Sequence, residues 1–214
     1  MTKVNIDIVS DIACPWCAIG YKRLEKAMTE LQDELEFDVQ WRAFELNPDS
    51  SGDGEPILPA LARKYGRSEE EMKANQAQMT AIAAELGLNF DKLQERHTRN
   101  TFDAHRLLKW AAEQGDQTAL KLAFFESYFG RAENISNTDV LLACVEQVGL
   151  DAEEAKAVLS SNRYADAVRE EELRYQQAGV SAVPAYIINQ KYLISGAQEP
   201  TVLMEALREI AAES

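Results

Sequence analysis

The sequence predicts an α/β protein in which the two ends of the chain build one sheet and a long all-helical insertion separates them. Three observations predict it. Alternating apolar and polar residues at Val4 to Val9 and at Phe37 to Phe44 flank a helical periodicity, a βαβ pattern. Two β-rich runs, Ala185 to Ile188 and Tyr192 to Ile194, are joined by Asn189-Gln190-Lys191 and followed by an amphipathic segment, a ββα pattern. Between them, from about residue 56 to 178, every periodic signal is helical. Neither βαβ nor ββα covers its own sheet edge and apolar face, so the two ends are expected to pair. The expected division is residues 1–50 with 166–214 as a discontinuous sheet domain, and 56–165 as a helical insertion subdomain.

Each element has its own signal. The first strand stops at Ser10-Asp11, and beyond it Leu24, Met28, Leu31 and Leu35 mark one face of a helix. Asn47-Pro48 and Ser50 to Gly54 signal a loop after the second strand. Ser68 with Glu71 forms a capping box for a helix carrying Met72, Met79, Ile82 and Leu86, and Gly87 is placed to end it. Phe102 to Gly115, Gln117 to Gly130, Val140 to Val148, a helix opened by Asp151 and Glu154, and Tyr164 to Ala178 bring the expected count in the insertion to six. Pro200 opens the last helix, with Leu203, Leu207 and Ile210 on one face.

Composition narrows the function classes. The 214 residues are 46% hydrophobic and 27% charged, globular values, with no apolar run of membrane-spanning length. The opening residues Met1 to Ile8 carry no apolar core of a secretory signal, so a cytoplasmic location is expected. With 22 basic and 36 acidic residues the net charge is −14, which opposes nucleic-acid and anionic-membrane partners. Three cysteines, one of them left over, do not make a secreted disulfide framework.

The chemistry is concentrated in Cys14-Pro15-Trp16-Cys17. Zinc needs about four ligands, and Cys144, His97 and His105 stand in no paired knuckle spacing; Ala18 replaces the histidine of a haem attachment motif. No metal is expected. A redox dithiol fits a strand-to-helix junction: Pro15 suits the first helical position, and the helix N-terminus favours an anionic first sulfur. One helical turn places Cys17 beneath Cys14, so Cys14 is the expected attacker, exposed at the helix start, and Cys17 the buried resolver. Trp16 suits either packing or a substrate border. Asp11 suits a turn, a carboxylate that opposes the thiolate, or a neutral proton relay. Cys144, among Val140, Leu141, Val145 and Val148, reads as core, His105 as a structural group, and Asn100 and Asp103 as helix-start polar groups.

Gly179 to Tyr186 places Pro184 immediately before a strand. Together with the Cys-x-x-Cys this resembles the thioredoxin superfamily, which implies that Val183-Pro184 is a cis-proline loop against the dithiol, with the Val183 backbone pairing to an extended substrate. The helical insertion is similar to the DsbA architecture, a thioredoxin-like fold with a large helical insertion. Ser10-Asp11, Cys14 to Gly20, Asn100 to Leu107 and Ser195 to Gln198 resemble the FrnE-like branch of that family. The resemblance implies a thiol-disulfide oxidoreductase or isomerase acting on protein disulfides or thiols. It has no resident cofactor, with glutathione as a redox co-substrate or a thioredoxin-type protein as reductant. The expected substrate-binding residues are Pro15, Trp16, Val183 and Pro184. Kappa-class glutathione transferases and 2-hydroxychromene-2-carboxylate isomerases share the architecture but use a Ser or lone Cys; Cys17 argues against them, although Ser195 to Gln198 leaves a glutathione site open. A redox-sensing holdase is the third alternative, with Met72 and Met79 as apolar surface. Pro15-Trp16 lacks the histidine of DsbA, whose potential is about −120 mV, so a more reducing potential is expected.

Overall fold

Strand β1 (Thr2–Ser10) runs parallel to β2 (Leu35–Ala43) and antiparallel to β3 (Ala185–Ile188), which pairs with β4 (Tyr192–Ser195). The order β2-β1-β3-β4 makes one mixed sheet from the two ends of the chain. The computed structural model describes residues 1–50, 54–115 and 117–213, so residues 51–53 of the expected loop lie outside the described residues.

Alternation in β1 divides the core. Val4, Ile6 and Ile8, at most 1% exposed, face α1 (Pro15–Glu30) and the last helix, Pro200–Ala212. Val9 faces the other way, into a smaller cluster with Tyr175, Val180 and Ala185. Helix α1 ends at Glu30, and the Leu35 N–H closes back on Leu31 O at 2.9 Å. Leu35 is therefore the buried first residue of β2, and its helical spacing in sequence is coincidental.

The segment between β2 and β3 holds α2 (Ile57–Tyr65), α3 (Glu69–Glu85), α4 (Phe102–Gln114), α5 (Gln117–Phe125), α6 (Thr138–Gln147), α7 (Ala152–Leu159) and α8 (Ala165–Gln177); Pro200–Ala212 is α9. Helix α2 is an addition to the expected six. It is nine residues long, carries Pro59 in its first turn and buries only Ile57, so its length and its proline rather than its apolar pattern hide it in the sequence. The capping box at Ser68 is present, with the Glu71 side chain returned to the Ser68 N–H at 2.9 Å. The expected helix Gln117 to Gly130 changes character at Glu126–Gly130, where the turn widens and the Arg131 N–H reaches Glu126 O at 3.2 Å.

β2 is an edge strand, and the insertion covers that edge. The Gln117 side chain accepts from Trp41 N–H (2.8 Å) and donates to Trp41 O (3.1 Å), which imitates a further strand. One residue pair along, Glu171 of α8 accepts from the Ala43 N–H at 2.7 Å.

Candidate active site

Cys14 is the N-cap of α1, extended at φ −95° and ψ 109°, with Pro15 in the first turn and no acidic side chain there. Cys14 therefore sits at the positive end of α1, although its side chain makes no cap hydrogen bond. The Cys14 thiol donates to Val183 O at 3.6 Å, and the Val183-Pro184 peptide is cis. Pro184 is buried just before β3, and its carbonyl accepts from Gly196 N–H at 2.8 Å. Gly20 permits this packing: a Cβ there would lie 2.3 Å from the Tyr186 hydroxyl and 3.1 Å from the Pro184 ring. Ser195 to Gln198 pack behind α1, where Ala197 O accepts from Arg23, and are not among the residues that line the cavity at Cys14.

Both thiols are free. Cys14 is 6% exposed, against the expectation of an exposed helix tip, and α2 and α3 line the cavity it borders. That cavity of about 930 Å³ is walled by Ile57, Leu61, Met72 and Met79, with Trp16, 40% exposed, beside Cys14. Cys17 is fully buried within hydrogen-bond reach of Cys14. Burial pushes its thiol well above the ordinary range, the bond to and charge of Cys14 push it further, and the Lys121 charge pulls it partly back.

Asp11 is fully buried. Burial works to raise its carboxyl, but the hydrogen bond and charge of His105, the Leu46 N–H at 2.7 Å and Thr101 outweigh it and hold it below the usual carboxylate range. It is thus a charged anchor that ties the end of β1 to the segment after β2. His105 Nε2 lies 3.4 Å from Asp11 Oδ1 and 3.1 Å from Phe44 O. Asn100 accepts from Phe102 N–H at 2.9 Å, Asp103 pairs with Arg106, and Cys144 is 1% exposed in the core.

Two buried cations beside the dithiol were missed in the sequence. Lys121 of α5 is 0% exposed, and its Nζ has no hydrogen-bond partner among the described residues. It lies 5.1 Å from the ring centroids of both Trp41 and Phe125. Burial lowers its ammonium to about 8, against the pull of Cys17, Asp11 and Cys14. Arg96, 2% exposed on the cavity wall, donates to Gln76 Oε1 (2.9 Å) and to Leu93 O and lies over the Tyr128 and Phe129 rings. Lys121 had a readable signal: Gln117, Leu120, Lys121 and Phe124 share one helix face, which turns a lone charge inward. Arg96 stands in a helix-free stretch with no period to place it.

The DSBA-like thioredoxin domain family matches residues 5–208. A crystal structure from Streptomyces coelicolor described as a probable DsbA oxidoreductase is 38% identical, with a TM-score of 0.91 over 99% of this chain and 91% of that one. A 2-hydroxychromene-2-carboxylate isomerase shares the fold at 16% identity and a TM-score of 0.71, over 98% of this chain and 97% of that one. The cytosolic disulfide reductase DsbM from Pseudomonas aeruginosa, solved with glutathione, shares it at 15% identity and 0.65, over 96% and 98%. The match along nearly the whole chain, the shared fold and the Cys14–Cys17 pair at the start of α1 have one conclusion: the chain belongs to the DsbA-like thioredoxin domain family.

Proposed function

We propose that this protein is a cytosolic thiol-disulfide oxidoreductase or isomerase of the FrnE-like branch that acts on protein disulfides. The observation that carries this is the Cys14 thiol at the α1 N-terminus, held on Val183 O at the floor of an open cavity, with Cys17 one turn behind it. Cys14 thiolate attacks a substrate disulfide, a Cys14–substrate bond forms and one substrate sulfur leaves. Cys17 then attacks Cys14, closes the intramolecular disulfide and releases the second substrate thiol. Pro15, Trp16, Val183 and Pro184 border the incoming segment. Residues 1–50 with 166–214 supply the dithiol and its proline loop, and 56–165 form the part that roofs them.

Glutathione, present in the DsbM neighbour, or a thioredoxin-type protein returns the dithiol to its reduced form, and no resident cofactor is required. Transferase or isomerase chemistry of the glutathione-dependent kind is disfavoured by Cys17, which would displace glutathione from Cys14. The holdase alternative loses its apolar surface, since Met72 and Met79 are 4% and 8% exposed. The expected reducing poise needs one amendment: the helix terminus is not the sole positive influence, because Arg96 and Lys121 both act on Cys14. Equilibration in graded glutathione buffers should still give a potential well below about −120 mV.

The roles are tested by trapping. Cys14→Ser abolishes insulin reduction, whereas Cys17→Ser accumulates mixed disulfides with protein thiols. Equal trapping by the two variants would overturn the assignment.

A further inference from the structure

Arg96 has no role in the thiol exchange itself, yet it is 2% exposed and lines the same cavity as Cys14. A guanidinium keeps its proton throughout the physiological range. Its Nη1 donates to Gln76 Oε1 at 2.9 Å and to Leu93 O, which uses both hydrogens of that nitrogen. Its Nε is buried without an acceptor, and Nη2 meets none among the described residues. The Tyr128 and Phe129 rings lie 5.5 and 5.4 Å from Cζ, and the Tyr128 hydroxyl donates to His97 O at 2.7 Å. Rings and neutral acceptors surround the charge, and no carboxylate among the described residues pairs with it. A buried cation without a counter-ion is costly, and an anion that enters the cavity offsets that cost.

The other charges of the cavity are already engaged or screened. Glu55 is the one carboxylate among the described lining residues, and Arg63 holds it; Arg67 pairs with Glu71. Arg63, Arg67 and Lys64 are exposed, so solvent weakens their pull. Arg96 is shielded from water, and Ile57, Leu61, Met72 and Met79 make the surrounding wall apolar, which strengthens the field of an unpaired charge. The Cys14 charge acts on it across this space.

Resting on the dithiol reading, we propose that Arg96 is a substrate-binding residue that holds a carboxylate carried a few bonds from the reacting sulfur, so that acidic disulfides and thiols are the preferred substrates. Gln76 and Leu93 O fix Nη1, and the Nη2 hydrogens remain for the ligand. A planar fork suits a carboxylate better than a point charge does.

The test compares 3,3′-dithiodipropionate with its diamide, two disulfides of one shape that differ in charge. Each oxidises the reduced, full-length protein, and each rate is divided by that of the same disulfide with dithiothreitol, which removes intrinsic reactivity. The carboxylate should be favoured about tenfold, against the repulsion of a chain with net charge −14. Arg96→Gln should bring the ratio to about one, and Arg96→Lys should leave it between, because an ammonium keeps the charge and loses the fork. A folded Arg96→Gln protein that slows both disulfides equally overturns the proposal, since a weaker Cys14 thiolate or a loosened wall acts on both alike. An unaltered protein without the preference overturns it too, and that result needs no variant. Two peptide disulfides with Glu or Gln beside the cysteine identify the source of the carboxylate. Preference for the Glu peptide assigns acidic protein segments, and preference confined to dithiodipropionate assigns small acidic thiols. Cys14→Ser separates the two levels of inference: it should consume neither disulfide and still bind dithiodipropionate more tightly than the diamide. Equal binding removes the role of Arg96 and leaves the dithiol reading, whereas consumption at the parent rate removes the dithiol reading.

Discussion

Lys121 and Glu45 show how burial acts on cations and anions with opposite sign. The Lys121 ammonium sits at about 8 in the folded protein against an ordinary value of 10.5, so the folded state binds fewer protons than the unfolded one between those limits. Its cost is complete below pH 8 and fades as pH rises toward 10.5. Lys121→Met, similar in length and apolar, should raise the unfolding free energy from urea titration at pH 7 by an amount on the order of 3 kcal/mol. The difference between the two proteins should shrink as the titration is carried above pH 8; a constant difference would contradict the assignment. Glu45 runs the other way. Burial first, then the neighbouring Glu172 charge, raise its carboxyl from 4.5 to about 7, although Arg169 partly offsets them. The folded state holds that proton more tightly, so this contribution to stability is complete below 4.5 and is lost as pH rises through 7. Arg169 is half-exposed, and solvent reduces the effect to about 1 kcal/mol. Glu45→Gln should therefore be more stable than the parent at pH 8 and show a flatter pH dependence in thermal melts.

At the scale of elements, the β2 edge decides how the insertion is attached. An edge strand whose backbone is buried must pair with something, and here side chains of α5 and α8 take the place of a fifth strand. The Gln117 amide satisfies both backbone groups of Trp41 and also donates to Leu108 O at 3.1 Å, linking β2, α5 and α4. Truncation leaves buried donors and acceptors unpaired. Gln117→Ala is expected to cost about 2 kcal/mol, and amide exchange at Trp41 N–H should accelerate more than exchange in β1. Equal acceleration throughout the sheet would mean that Gln117 does not hold this edge. Because Lys121 is one helical turn beyond Gln117, the same attachment fixes the position of the buried cation.

Across the whole molecule, the insertion converts a dithiol at a helix start into one at the floor of a cavity. Arg63, Lys64, Arg67 and Arg96 line that space with Glu55, although the net charge of the chain is −14. Arg63 is paired with Glu55 and Arg67 with Glu71, so part of that positive charge is offset locally. The cavity of about 930 Å³ also limits what reaches Cys14. Ala60 lines it from α2, so Ala60→Trp should slow insulin reduction about tenfold while turnover of a small aliphatic disulfide changes little. Equal slowing of both substrates would show that the roof does not select by size.

The sequence by itself determined what short-range patterns encode. Period-two runs marked β1 and β2, Ser68 and Glu71 marked the start of α3, and the Cys14-to-Cys17 spacing marked a dithiol at a helix start, because each signal lies within a few residues of what it specifies. Leu35 shows the limit of such patterns: four positions on a helical period continued past the point where the backbone had turned. Residue patterns by themselves do not join Val183 O to Cys14 across 169 residues, which only the resemblance implied, and the tertiary structure alone brought Gln117 to Trp41 across 76. It alone also buried Cys14 and brought the buried Lys121 and Arg96 within electrostatic range of it. Those relations depend on which surfaces pack together, and burial, the quantity that moves the charge states at this site, is a property of the packed molecule.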